Sequence, residues 1–145
     1  MGVDGTLVGR TFPPTTPYRV TDERLAEFAA ATGSQYAEGG PAPATFPIVV
    51  GVPAMRDLMD DPGVGIALHR VVHGEQRFTY TRPVVAGDVL TATLTVDTLR
   101  QIGGADIIGT RSEIADEDGN HVVSAYAVLV HRAPDPAADP AGETA

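Results

Sequence analysis

Proton-transfer chemistry has few side chains to draw on in this chain of 145 residues. Cysteine is absent, and so is lysine: all ten basic residues are arginine. Thiolate nucleophiles, thiolate metal sites and disulfides are therefore excluded, as are Schiff-base and lysine general-base chemistry. Serine occurs only as Ser34, Ser112 and Ser124, never in the G-x-S-x-G turn of a nucleophile elbow. What remains is His69, His73, His121, His131 and the carboxylates. The densest polar group is His73-Gly74-Glu75-Gln76. It reads either as a pocket wall or as side chains that satisfy backbone groups where a strand begins. On a predicted strand His69 and His73 would stand about 13 Å apart, so no shared metal ion is expected. Arg82, just before Pro83, reads as a solvated arginine or as an anion contact. Gly87-Asp88 reads as a turn whose carboxylate bonds local backbone. Asp118-Gly119 is the expected centre of a type I′ hairpin. Such a turn sets Asp116 opposite His121 as an exposed ion pair, worth about 0.2–1 kcal/mol.

The elements that must position these residues are legible from their periods. Thr21 is a plausible N-cap, with Asp22 and Glu23 in the first turn of a helix. Leu25, Phe28, Ala29 and Thr32 follow helical spacing, and Gly33 can end the helix in the left-handed conformation. Pro41, Pro43 and Pro47 argue against regular structure over 34–47. Ile48 to Val52 is a short buried run, and Pro53 suits the first turn of a second helix over roughly 54–59. From there the period is two. Phe78 and Tyr80 share a face. Leu90, Ala92, Leu94 and Val96 alternate with threonines in a long half-buried strand, and strands over 105–116 and 121–131 follow. The last, VVSAYAVLV, is apolar on both faces, so it is expected to be central or covered by a partner. A helical segment followed by long antiparallel strands indicates an α+β fold.

The net charge of −9 opposes binding to nucleic-acid phosphates or to an anionic membrane surface. No apolar run is long enough for a membrane span, and no secretory signal is visible, so a cytoplasmic location is expected. One domain over 7–132 is predicted, with a flexible N-terminus over 1–6 and a disordered, Pro- and Ala-rich tail over 133–145.

Several sequence words occur here in a telling order: VGRTFPPTTPYRVTDERLAEFAAATG at 8–33, APATF at 42–46, VVHGEQRFTYTRPVVAGD at 71–88 and EIADEDGNHVVSAYAVLV at 113–130. In this order they resemble the N-terminal-type MaoC dehydratase family of hot-dog domains. Within it the chain is similar to the HadA/HadC-type subunits of actinobacterial (3R)-hydroxyacyl-ACP dehydratase. The resemblance implies an antiparallel sheet wrapped around a central helix and a hot-dog partner chain, in a homodimer or a heterodimer with a catalytic MaoC-like subunit. It also implies an acyl-ACP or acyl-CoA substrate and no cofactor. One departure stands out: the segment between the first helix and APATF is short, only SQYAEGGP over 34–41.

In that family the catalytic Asp and His lie in a D-x-N-P-x-H sequence. Dehydration of a 3-hydroxyacyl thioester needs a base for the C2 proton, an acid for the leaving hydroxyl and a donor to polarise the carbonyl. Only His121 has an Asp five residues upstream, Asp116, but the Asn and Pro places hold Asp118 and Gly119. No catalytic residue is therefore assigned. The resemblance gives Thr45, Phe46, His73, Gly74, Glu75, Gln76 and Arg82 as candidate substrate-binding residues, Arg82 toward a pantetheine phosphate and Gly74 toward the thioester oxygen. The function implied is an acyl-thioester-binding subunit of an (R)-specific 3-hydroxyacyl dehydratase or hydratase whose acid and base come from a partner. The alternatives are a non-catalytic acyl-binding or scaffold homodimer, and a hot-dog thioesterase in which Glu75 activates water.

Overall fold

The computed structural model describes residues 3–132. Its regular elements are β1 (Tyr18–Arg19), α1 (Asp22–Thr32), α2 (Ile48–Asp60), β2 (Val71–Tyr80), β3 (Val89–Ile102), β4 (Ala105–Ala115) and β5 (His121–Arg132). The strands form one antiparallel sheet in the order β1-β3-β4-β5-β2. Alternation decides which face is inward. Leu90, Ala92, Leu94 and Val96 of β3 are fully buried, as are Ile108 and Ile114 of β4, with Val123, Ala125, Ala127 and Leu129 of β5 beside them. Onto this concave face α2 lays Val50, Ala54, Met55 and Leu58. The architecture is α+β, a curled antiparallel sheet around a helix, as the resemblance implied.

The first helix forms as its spacing predicts. The Thr21 hydroxyl accepts the Arg24 amide at 3.1 Å, and Gly33 closes the helix at φ 72°. The second helix starts earlier than expected. Ile48–Val52 is helical, and Pro53 lies inside the helix rather than in its first turn. A proline there removes one backbone hydrogen bond. Burial of the α2 face against the sheet outweighs that loss, because tertiary packing supplies most of a helix's stability.

The two ends of the sheet differ. At the β3 end, residues 9–15 run along the strand: Phe12 and Thr15 donate their amides to Leu94 and Ala92 carbonyls at 2.9 and 3.0 Å. At the other end, among the described residues, β2 has no strand on its outer side, an arrangement that leaves backbone groups open to a further strand. β5, apolar on both faces, is internal between β4 and β2.

The packed body begins before the expected boundary at residue 7. Val3 is buried, and Asp4 caps a 3-10 turn over Gly5–Leu7. The Val3 amide donates to Asp106, whose carboxylate also accepts from Gln101 and His131. His131 Nε2 accepts the Ala67 amide at 3.0 Å, so its proton sits on Nδ1 and points to Asp106 at 2.9 Å. This buried knot ties the N-terminus and the 61–70 loop to the far ends of β4 and β5. The tail expected over 133–145, and residues 1 and 2, lie outside the described residues.

Candidate acyl-binding cleft

The polar residues 73–76 lie on β2 around an irregularity. His73 pairs with Leu129 and Glu75 with Val128, so Gly74 is skipped by the ladder. That is a β-bulge, and bulges re-aim side chains and commonly sit beside functional sites. A Cβ at Gly74 would meet the Val128 carbonyl oxygen at 3.4 Å, an ordinary contact, so the bulge itself does not demand glycine. His73 Nε2 and Gln76 Oε1 share a hydrogen bond of 2.9 Å, which ties together the two ends of the bulge. Glu75 pairs loosely with Arg77 at 3.6 Å, and both side chains are more than half exposed.

Beside this strand lies an open cleft of ≈ 670 Å³ lined by Phe28, Thr32, Thr45, Ile48, Phe78 and the whole His73–Gln76 stretch. Its polar rim comes from β2 and Thr45, and its apolar floor from α1, the first turn of α2 and Phe78. The sequence reading missed Phe28, Thr32, Ile48 and Phe78 as lining residues. The available signal was Thr32, a polar residue ending the apolar stripe of α1, where the buried face reaches a boundary.

Phe46 does not line the cleft. It is fully buried, edge-on to Phe28 with ring centroids 5.3 Å apart. Arg82 is also elsewhere, at an apolar depression of ≈ 340 Å³ with Ala42, Ala44, Tyr80, Thr81 and Pro83. Its guanidinium grips both oxygens of Asp88 at 2.9 and 3.1 Å and reaches Asp116 at 3.3 Å. The bond to Asp88 is the main reason its pKa is held above the ordinary arginine value. One cation between two carboxylates has no surplus positive charge for a phosphate. Asp88 meanwhile accepts the Val85 amide at 2.9 Å, the local backbone bond expected of it. Tyr80 donates its hydroxyl to the Ala44 carbonyl, tying β2 to the approach to α2, and burial pushes that hydroxyl's pKa up to about 12.

Asp116 and His121 do not form the expected ion pair. The loop is not a type I′ turn, because Asp118 does not take the positive φ that turn requires; Gly119 does, at 84°. Asp116 instead accepts the Asp118 and Asn120 amides at 3.0 and 2.9 Å. The Asn120 bond is the largest influence holding its carboxyl below the usual range. A register shift beyond Ile114 skips Val122 of β5 and pairs His121 with Ala115. The His121 ring bonds Thr81, Ser124 and Glu113. Burial would raise the Glu113 carboxyl, but hydrogen bonds from Ser124 and Arg111 outweigh it and hold the pKa down. This cluster lies on the sheet face away from α2 and is absent from the lining of the cleft. His69 is in a 3-10 turn over Leu68–Arg70, not on the strand with His73, because β2 begins only at Val71. Among the described residues no three His, Asp or Glu side chains converge as metal ligands.

A family model described as the dehydratase domain region of FAS1-like proteins matches residues 6–125. The chain belongs to this FAS1-like dehydratase-domain family. A UPF0336 protein of Streptomyces coelicolor is 43% identical over 92% of this chain and 97% of its own length. Another, of Leifsonia xyli subsp. xyli, is 45% identical over 90% and 96%. Among solved structures, a chain of the C-terminally truncated HadBC (3R-hydroxyacyl-ACP dehydratase) complex from Mycobacterium tuberculosis is 28% identical with a TM-score of 0.76, over 86% of this chain and 96% of that one. A MaoC-like dehydratase gives a TM-score of 0.74 at 26% identity over 89% of this chain and 43% of that one. The FAS1-like dehydratase domain is thus a MaoC-like hot-dog, and no helix among its described residues is long and apolar enough to cross a membrane.

Proposed function

We propose that this chain is the acyl-thioester-binding subunit of an (R)-specific 3-hydroxyacyl-ACP or -CoA dehydratase/hydratase of the cytoplasm, with the acid and base supplied by a second hot-dog chain. One observation carries the reading. Thr45 and His73–Gln76 meet in a single apolar-floored cleft beside the uncovered edge of β2, where a partner strand can add. In this role Phe28, Ile48 and Phe78 hold the acyl chain, and the bulged backbone at Gly74 faces the thioester carbonyl. His73 and Gln76 hold the shape of that wall. No internal pair in the cleft has the arrangement of a base oriented by an acid, because His73 bonds a carboxamide.

The test is to titrate the purified chain with trans-butenoyl-CoA and assay the same mixture for hydration. Saturable binding without turnover is expected. Hydration by the chain alone, at rates typical of enzymes of this class, contradicts the division of labour. The thioesterase alternative rests on Glu75 as a residue of the cleft lining, although its carboxylate pairs with Arg77 at 3.6 Å. Thioester hydrolysis abolished by Glu75→Ala would establish it.

A further inference from the structure

Besides the cleft and the depression at Arg82, the structure holds a cavity of ≈ 340 Å³, hereafter the second cavity, lined by Thr15, Tyr18, Val49, Val50, Pro53 and Asp57 among others. Both cavities touch the first turns of α2, the cleft at Ile48 and the second cavity at Val49 and Val50. Between them runs a row of three rings. Phe28 lines the cleft and meets Phe46 edge-on at 5.3 Å and 83°. Phe46, 1% exposed, meets Tyr18 at 6.2 Å, and Tyr18 lines the second cavity. The row is held from several sides. Arg24 lies 4.7 Å over the Tyr18 ring. The short segment after α1 is fastened back onto it, with the Tyr36 hydroxyl and the Gly39 amide both donating to Asp22.

We propose that Phe46, wedged between Phe28 and Tyr18, is the residue that ends the acyl site and restricts this chain to short-chain acyl thioesters. This inference rests on the acyl-binding reading of the cleft and adds its substrate class. Burying each methylene of an acyl chain is worth about 0.8 kcal/mol, a gain of about fourfold in affinity per carbon. That gain lasts only while apolar space remains. Interiors are packed too tightly to yield a path through a buried three-ring contact without strain. Affinity should therefore climb over the first few carbons and stop climbing when the chain end reaches Phe28. Removing the Phe46 ring joins the cleft to the space before Tyr18, and the break should move to longer chains.

The experiment measures Kd for a series of saturated acyl-CoA esters, from acetyl through butanoyl, hexanoyl and octanoyl to dodecanoyl, on the whole chain. The expected result is a gain of about fourfold per methylene at the short end, then no gain or a loss. Phe46→Ala, or the milder Phe46→Leu should the first fail to fold, shifts the break by at least one member of the series. A wild-type affinity that rises without a break to dodecanoyl overturns the inference while leaving the acyl-binding reading intact. So does a break that stays in place in a folded Phe46 variant. Absence of binding for every ester, with free CoA as control, defeats the acyl-binding reading itself and the inference with it.

Discussion

At His73 the imidazole spends Nε2 on the side-chain oxygen of Gln76, 2.9 Å away, and both residues line the cleft. A ring so engaged shapes a wall; it is not oriented by a carboxylate for proton abstraction. In a reconstituted dehydratase, His73→Ala should remove the bond to Gln76, worth roughly 1 kcal/mol of fold stability, and raise KM by about fivefold or less. The value of kcat and its pH dependence should not change. Steady-state kinetics across pH check this: loss of kcat with disappearance of a titrating limb would make His73 a proton-transfer group. At this scale the sequence was an uneven guide. The β2 knot could be read because its polar residues are contiguous. The fate of Arg82 could not, because Asp88 is brought to it by the turn before β3 and Asp116 by the turn between β4 and β5, 34 residues further along the chain. Phe46 was likewise hidden: an aromatic at that position was expected in the substrate site, and only its burial and the Phe28 contact show it to be a core ring.

Among the elements, α1 carries the most readable signals, with a capping threonine, acidic first turn, apolar stripe and left-handed glycine all agreeing. Its task is to present Phe28 and Thr32 to the cleft. Thr21→Ala, which removes the cap at the Arg24 amide, should lower stability by about 1 kcal/mol in denaturant unfolding. A cost near zero would mean that packing alone sets the helix start. The start of α2 was less readable. Ile48–Val52 is rich in β-branched residues with Pro53 behind it, local preferences that oppose a helix and are overridden by burial of Val50, Ala54 and Leu58. The hairpin after β4 illustrates the same limit. Asp-Gly announces a turn, but the Asp116 carboxylate accepts two amides within it, the turn does not take the type I′ form, and a bulge at Val122 changes the pairing of His121.

Over the molecule, three carboxyls among the described residues are held below the usual range. Burial opposes this at Asp106, but bonds from His131, Gln101 and Val3 outweigh it. Glu113 follows the same pattern. At Asp116 the Asn120 amide acts first. A folded-state pKa below the unfolded one gives stability that is complete above the unfolded value, about 4, and lost as pH falls through the folded one. Thermal unfolding should therefore be flat near neutrality and fall steeply below about pH 4. Asp106→Asn should lower the neutral-pH midpoint and flatten that acid slope. An unchanged slope would show that the buried knot is not linked to protonation.

The asymmetry of the sheet is the molecule-scale feature on which the proposed function rests: β3 is covered by residues 9–15, and among the described residues β2 is not covered by any strand. In the proposed function one wall of the site lies on this chain and the proton transfers on a partner. Its most direct test is reconstitution with a hot-dog chain that carries the D-x-N-P-x-H sequence, followed by hydration of trans-butenoyl-CoA. The account predicts activity in the mixture well above the sum of the separate chains, abolished when the partner's Asp or His is replaced. Equal specific activity from this chain alone, or activity in the mixture that survives loss of the partner's Asp and His, would contradict it.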